Sequence, residues 1–300
     1  MSTIELNQVR KTYDHFVAVD DLCLKIEEGA VYGLLGPNGA GKTSTIRMMI
    51  GITVPDSGGI SMFGKPFTRA ALKRVGYLPE ERGLYKKMKV VDQLIFLGRL
   101  HGLDSVTARQ KVQSWSERLD IASWLPKKVE ELSKGMQQKI QFIAALMHDP
   151  DFIIMDEPFS GLDPVNTVLL KDVLLELKGK GKTILFSTHQ MDQVEKLCDS
   201  ICLINRGKSV LQGDLKQIKA HYGKNNVQIE YEGDGNFLEQ TQLVGSYNNF
   251  GNYVEVRLAP GADPQQLLRL VTERSRVSKF ELMEPSLEEI FIETVGKANA

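Results

Sequence analysis

The chain has few cysteines, and their arrangement suggests neither a metal site nor a disulfide scaffold. Its three cysteines, Cys23, Cys198 and Cys202, form no CxxC pair and have no histidine-rich neighbourhood. Scattered cysteines in an odd number argue against a zinc site. We therefore expect reduced, structural thiols in a cytosolic compartment.

An excess of charge of one sign and long apolar runs are also missing. The 37 lysines and arginines are balanced by 38 aspartates and glutamates, which gives a formal net charge of −1. Because such a chain has no bulk positive field, we expect no nucleic-acid partner. No uncharged stretch approaches the roughly 18 residues that a membrane-spanning helix needs, so we expect that the chain itself is not an integral membrane protein.

The length indicates two folded units, because 300 residues exceed what one hydrophobic core usually organises. We expect a first unit over residues 1–222. After the turn at Asn225 the texture changes to short alternating runs, so a small, separate α+β domain is expected over residues 225–300. Its last helix is predicted to begin with a capping box formed by Ser286 and Glu289.

Two kinds of strand are predicted in the first unit. Between Ile4 and Ile26 apolar and polar residues alternate, which is typical of half-exposed antiparallel strands. Almost continuously apolar runs, typical of parallel strands covered by helices on both faces, occur at residues 30–35, 152–155, 183–186 and 201–204. From about 84 to 150 apolar residues recur at helical spacing. The unit is therefore predicted to be α/β, with an antiparallel β subdomain and a helical subdomain.

One glycine-rich segment matches the pattern GxxxxGK[ST] between an apolar strand and a helix, the context of a phosphate-binding loop. Its residues, with the serine that follows, are Gly36, Pro37, Asn38, Gly39, Ala40, Gly41, Lys42, Thr43 and Ser44. Glycines let backbone N–H groups and a helix N-terminus converge on phosphate oxygens. Lys42 suits the β- and γ-phosphates, and the Thr43 hydroxyl suits Mg²⁺. The segment predicts a nucleoside triphosphate, with ATP and Mg²⁺ as the expected ligands.

A second motif is the apolar run 152–155 that ends in two carboxylates, Asp156 and Glu157. Alternation along a strand points neighbouring side chains in different directions, so the two carboxylates can take different roles. Asp156 suits the Mg²⁺ shell. Glu157 suits the polarisation of the water that attacks the γ-phosphorus.

The segment Leu132-Ser133-Lys134-Gly135-Met136-Gln137-Gln138 resembles the signature sequence of the ATPase subunits of ABC transporters. Residues 160–163 look like the D-loop of this family, and His189 looks like its switch histidine. Tyr13 matches the aromatic residue that stacks on adenine. The resemblance implies a P-loop NTPase (RecA-like) ABC cassette with a small C-terminal α+β domain.

The resemblance also implies partners. Two cassettes, identical or paralogous, would pack head to tail around two ATP molecules, with Ser133, Gly135 and Asp163 reaching the nucleotide of the other cassette. A separate integral membrane permease would form the transport path. The chain would therefore be peripheral at the cytoplasmic face of the cell membrane.

The chain departs from the commonest pattern of the family at three positions. Lys134 and Met136 replace a glycine and a glutamine of the signature, whereas Ser133 and Gly135 are kept. Glu80 stands where the family usually has a glutamine that senses Mg²⁺ and the attacking water. Glu80 is therefore a candidate for both the metal shell and the catalytic group, with a charge that the glutamine lacks.

Segments near Glu80, in the signature and around Pro285 resemble one branch, the ATPase subunits of ABC-2 type exporters, including sodium-extrusion types with an extra C-terminal domain. The expected function is therefore to power export, with sodium and drugs or toxic compounds as the candidate cargoes. A soluble ABC protein that acts on ribosomes or DNA is the main alternative, and a P-loop kinase or GTPase is a further one. The domain over 225–300 is compatible with regulation, dimer support or partner docking.

Overall fold

The computed structural model of the chain describes residues 1–81, 83–223, 225–233, 235 and 237–299, with side chains as far as Val295. It divides into two compact units, Met1–Gly213 and Asp214–Ala300. The division falls before residue 222, where the sequence predicted the end of the first unit. The reason is that helix Leu215–Tyr222 is held within the second unit, where the Tyr222 hydroxyl lies 3.1 Å from that of Thr294.

The elements of the described residues follow in chain order. The strands are β1 (Ser2–Tyr13), β2 (Phe16–Glu27), β3 (Val31–Leu35), β4 (Ser57–Met62), β5 (Lys65–Pro66), β6 (Val75–Leu78), β7 (Phe152–Asp156), β8 (Thr183–Thr188), β9 (Ser200–Asn205), β10 (Lys208–Asp214), β11 (Asn226–Glu232), β12 (Val244–Asn249), β13 (Val254–Leu258) and β14 (Arg276–Met283). The α-helices are α1 (Lys42–Met49), α2 (Val90–Leu100), α3 (Ser105–Arg118), α4 (Lys134–Leu146), α5 (Pro164–Gly179), α6 (Met191–Leu197), α7 (Leu215–Tyr222), α8 (Phe237–Gln240), α9 (Pro264–Arg274) and α10 (Leu287–Asn299).

The first unit contains two sheets. One has the order β2-β1-β4-β5 and antiparallel pairs, which confirms the antiparallel strands predicted between Ile4 and Ile26. The other has the order β10-β9-β3-β8-β7-β6, and its strands from β9 to β6 pair in parallel. Strands β3, β7 and β8 are buried along their whole length, as their continuous apolar runs predicted.

The parallel sheet determines where functional side chains meet. The loops that leave β3, β6, β7 and β8 all start at the carboxyl ends of parallel strands, and these ends lie at one edge of a sheet. The phosphate-binding loop follows β3, Glu80 follows β6, Asp156 ends β7 and His189 follows β8. Residues far apart in sequence are thereby brought to one place.

The helical subdomain consists of α2, α3 and α4, within the predicted range 84–150. Ser133 begins α4 as its N-cap, and its hydroxyl accepts the N–H of Met136 at 3.3 Å. This hydrogen bond satisfies one of the free N–H groups of the first helical turn.

The second unit is an α+β domain with an antiparallel sheet of order β12-β13-β11-β14. Its core includes Val227, Val256 and Leu267, all buried. The predicted capping box of α10 is confirmed, because Ser286 N–H donates to Glu289 and Glu289 N–H donates to the Ser286 hydroxyl. Within the described residues, no helix combines the length and apolar character that crossing a bilayer needs.

Candidate functional site

A cavity of about 370 Å³ opens at the carboxyl edge of the parallel sheet. It gathers residues from the hairpin of β1 and β2, the phosphate-binding loop, the start of α1 and the ends of β6 and β7. The residues that line it are Tyr13, Phe16, Ala18, Asn38, Gly39, Gly41, Lys42, Thr43, Ser44, Glu80, Asp156 and Glu157. Most of the residues predicted for nucleotide, metal and catalysis therefore share one cavity.

The loop from Gly36 to Thr43 wraps around the side chain of Lys42, which is 7% exposed. The ammonium group donates to the carbonyl oxygens of Gly36 at 2.8 Å and Pro37 at 3.2 Å. Burial lowers the pKa of Lys42, and the charges of neighbouring carboxylates, Glu157 foremost, oppose this shift. The cation is thus held inside the loop beside a set of carboxylates.

Gly41 occupies a backbone conformation that side chains rarely adopt, with φ +111°, and a Cβ atom there would meet the Ala18 carbonyl at 2.3 Å. Gly39 has φ +80° but open space around it. We expect Gly41→Ala to lower the free energy of unfolding by about 1–3 kcal/mol through backbone strain. The steric clash between the new Cβ atom and the Ala18 carbonyl should lower it further. The control, Gly39→Ala, introduces backbone strain without a steric clash. Its thermal unfolding midpoint should therefore fall less than that of Gly41→Ala. Equal midpoints for the two variants would contradict the close approach at Gly41.

Asp156, 1% exposed, is fixed on one side and unpartnered on the other. Its Oδ1 accepts the Ser187 hydroxyl, whereas Oδ2 is buried and has no hydrogen-bond partner among the described residues. A buried carboxylate oxygen without a donor is costly unless a cation or water satisfies it. The Thr43 hydroxyl and the Glu80 carboxylate line the same cavity, and Mg²⁺ prefers such hard oxygen ligands. The residues present therefore fit this ion.

The pKa of Glu80 is raised by its surroundings, which include two other carboxylates. Partial burial raises its pKa first, and the charges of Asp156 and Glu157 raise it further, while Lys42 lowers it. Carboxylates that converge in this way repel one another unless a proton or a cation lies between them. The replacement of the usual glutamine by Glu80 thus adds negative charge where a divalent cation would bind.

Glu157 is held by three hydrogen bonds from the end of β8. Its carboxylate accepts the Thr188 hydroxyl at 3.1 Å, the His189 N–H at 3.2 Å and the His189 ring Nδ1–H at 2.8 Å. The side chain of Glu157 is 8% exposed and that of His189 52%. The backbone of Glu157 is left-handed, with φ +50°. Two of the three predicted catalytic residues, Glu157 and His189, are therefore hydrogen-bonded to each other, and His189 is the more exposed of the two.

The structure does not bring every predicted residue to the cavity. Ser133, Gly135, Asp163 and the predicted catalytic residue His189 lie outside its lining. Ser133 and Asp163 cap their own helices, α4 and α5; Asp163 accepts the Asn166 N–H at 2.9 Å. Hydrogen bonds from Asn166 also lower the pKa of Asp163.

Other differences concern the lining itself. Gly36, Pro37 and Ala40 belong to the predicted loop but do not line the cavity. Phe16 and Ala18 line it although the sequence analysis missed them. The available signal was the hairpin, because Phe16 lies opposite Tyr13 in the register of β1 and β2 and extends its aromatic surface.

Family models match both parts of the chain. The model described as "ABC transporter" matches residues 19–160. The model described as "ATP-binding protein DrrA1-3-like, C-terminal domain" matches residues 213–295. The second match begins where the structure divides the chain.

Relatives and solved structures agree with this. The chain is 47% identical to the ABC transporter ATP-binding protein YhaQ of Bacillus subtilis, over 98% of each chain. It is 38% identical to the Nod factor export ATP-binding protein I of Burkholderia pseudomallei, over 82% of this chain and 84% of that one. A structure described as the ATP binding subunit of an ABC transporter superposes with TM-score 0.68 at 29% identity, covering 74% of this chain and 93% of that chain. The structure of cbiO1 from Clostridium perfringens, described as part of the ABC transporter complex cbiONQ, superposes with TM-score 0.64 at 26% identity. The match covers 73% of this chain and 91% of that chain. With one relative matched over nearly its whole length, the chain belongs to the family of ATP-binding subunits of ABC transporters.

Proposed function

We propose that the chain binds and hydrolyses ATP with Mg²⁺ as the energy-coupling subunit of an ABC-2 type exporter. The observation that carries the proposal is the cavity that Lys42, Asp156 and Glu157 line together, with His189 hydrogen-bonded to Glu157. The exporter type is supported by similarity to a Nod factor export ATP-binding protein and by the branch motifs in the sequence. Sodium or toxic compounds are the proposed cargo classes.

In this proposal the nucleotide lies along the cavity. Tyr13, 39% exposed, stacks on adenine, and the backbone N–H groups of the loop from Gly36 to Ser44 bind phosphate oxygens. Lys42 binds the β- and γ-phosphates. Thr43, Asp156 and Glu80 would hold Mg²⁺, which supplies neutralisation of phosphate charge when bound.

Glu157 is the proposed general base. A carboxylate offers about four acceptor sites, and three are taken by Thr188 and His189, which leaves about one for the attacking water. The water oxygen forms a bond to the γ-phosphorus, the bond from that phosphorus to the ADP oxygen breaks, and the water proton passes to Glu157. His189 and Thr188 keep the carboxylate oriented during this step.

The remaining residues serve the assembly. Ser133, Gly135 and Asp163 are proposed to contact the nucleotide of a second cassette, identical or paralogous, in a head-to-tail dimer. Closure and reopening of that dimer would drive a separate membrane permease. The chain would accordingly be peripheral at the cytoplasmic face of the membrane, without a nucleic-acid partner.

The test is affinity purification of the full chain from its native cell in mild detergent with ATP and Mg²⁺, followed by mass spectrometry. We expect a chain with several hydrophobic spans to be enriched over a mock purification. Recovery of ribosomal proteins or nucleic acid without a membrane chain would instead favour the soluble alternative.

The same purification tests a basic surface beside α2. Lys86, Lys87 and Lys89 are exposed, whereas their backbone is anchored by the Glu130 N–H, which donates to the Lys86 carbonyl at 2.9 Å. We expect charge reversal of the three lysines to weaken co-purification of the permease several-fold, because the cationic face would contact a cytoplasmic loop or anionic headgroups.

A matched control reverses three other exposed cations, Lys65, Arg69 and Lys73, and should leave the yield of permease unchanged. If both triple variants recover as much permease as the wild type, the basic surface has no role in docking.

A further inference from the structure

Helix α4 is tied to its surroundings by a row of polar side chains that are directed into the protein. Gln138, Lys139 and Gln141 are 3%, 6% and 5% exposed. Each donates a hydrogen bond to a backbone carbonyl of a different segment. Lys139 reaches the end of α3 at Leu119, 3.2 Å away. The two glutamines reach the loops of the candidate active site.

Gln138 donates its side-chain amide to the carbonyl of Pro158 at 3.1 Å. Pro158 is buried and directly follows Glu157, the proposed base. Gln141 donates to the carbonyl of Glu81 at 3.4 Å, and Glu81 directly follows Glu80. The second bond is the longer and weaker one, and the Oε1 atom of Gln141 is buried without a partner among the described residues.

The hydrogen bonds of Gln138 and Gln141 both start from the same helix, α4. Residues three apart on a helix lie on the same face, so Gln138 and Gln141 point together toward the loops that leave β7 and β6. These strands are parallel neighbours. The first turn of α4 also packs closely on the segment after Pro158, since a Cβ atom at Gly135 would lie 3.3 Å from the Gly161 carbonyl.

We propose that Gln138 and Gln141 are positioning residues that fix the loops carrying Glu157 and Glu80 to the helix that begins at Ser133. This inference rests on the proposed function. A displacement at the first turn of α4 would then move both carboxylates together. Helix α4 would thereby couple the position of its N-terminus to the geometry of the site of hydrolysis.

The cost of breaking the stronger contact follows from the chemistry. Without the amide of Gln138, the buried Pro158 carbonyl loses its donor, and the backbone that holds Glu157 can shift. A misplacement of about 1 Å in an active site can cost about 100-fold in rate. A partial shift should therefore lower kcat about 10-fold while ATP still binds.

The test compares Gln138→Met with the wild type as purified full-length chains, by ATP hydrolysis at saturating and limiting ATP. We expect kcat to fall about 10-fold with KM for ATP unchanged. Gln138→Glu keeps the shape but replaces the donating amide, and should also lower kcat. In the Glu157→Gln background, Gln138→Met should add no further loss, because its effect acts through Glu157.

Lys139→Met is the matched control, since it removes a similar bond from the same helix to a segment outside the cavity. Its kcat should match the wild type, whatever its thermal unfolding midpoint. A wild-type kcat in both Gln138 variants, or a loss that persists undiminished in the Glu157→Gln background, would overturn the positioning role alone. Absence of Mg²⁺-dependent ATP hydrolysis in the wild type would overturn the proposed function and this inference with it.

Discussion

Replacing Glu157 with glutamine is expected to slow ATP hydrolysis at least about 100-fold, the scale on which loss of a general base is felt. The amide keeps the size of the carboxylate, and its oxygen can still accept the two hydrogen bonds from His189, at 2.8 and 3.2 Å. Its NH2 group then takes the place of the oxygen that accepts from Thr188. The amide cannot take the proton of the attacking water. Single-turnover hydrolysis should therefore drop, whereas the Kd for ATP, measured by equilibrium binding, should change little.

The matching control is Glu130→Gln, which removes an exposed carboxylate of the helical subdomain that does not line the cavity. Its turnover should equal that of the wild type. If Glu157→Gln also turns over at the wild-type rate, the base lies elsewhere, and His189 becomes the candidate.

Replacing Lys42 with alanine is expected to weaken ATP binding about 10- to 100-fold. The side chain is buried within the loop, where it is the cation proposed for the β- and γ-phosphates. Hydrogen bonds to charged groups contribute about 1.5–3 kcal/mol, and each 1.4 kcal/mol corresponds to about a factor of ten in Kd. Titration of the purified chain with a fluorescent ATP analogue would measure the change.

Lys139→Ala provides a close comparison for this variant. Lys139 is also buried, also donates to a backbone carbonyl, and also has its pKa lowered by burial, but it lies outside the cavity. Its Kd for the analogue should be that of the wild type. An unchanged Kd for Lys42→Ala would mean that the loop does not bind phosphate.

Features encoded in continuous stretches could be predicted from the sequence. The loop from Gly36 to Thr43 has a pattern of its own, and the structure places it between strand β3 and helix α1. The apolar run that ends at Asp156 likewise forms the buried strand β7. The capping box at Ser286 is equally local. Such patterns need no knowledge of what lies across the fold.

Contacts that depend on strand order could not be predicted in this way. Glu157 meets His189 because β7 and β8 pair in parallel with Asp156 opposite Ser187, and no local pattern gives that register. Similarly, polar residues such as Gln138 are normally assigned to the solvent side of a helix, so its burial against Pro158 was missed. The sequence predicted that the first unit ends at residue 222, whereas the structure divides the chain after Gly213. The difference arises because the sequence of an amphipathic helix does not reveal which core the helix packs on.

The left-handed backbone of Glu157 has a consequence for how this chain can change over evolution. At φ +50° a residue other than glycine costs about 1–2 kcal/mol, and glycine would adopt the same conformation at little cost. Glycine would relieve this strain but would also remove the three hydrogen bonds from Thr188 and His189 and, in the proposed mechanism, the general base. The chain thus carries backbone strain at the residue proposed as its general base, and the stability that offsets this strain has to come from elsewhere in the fold.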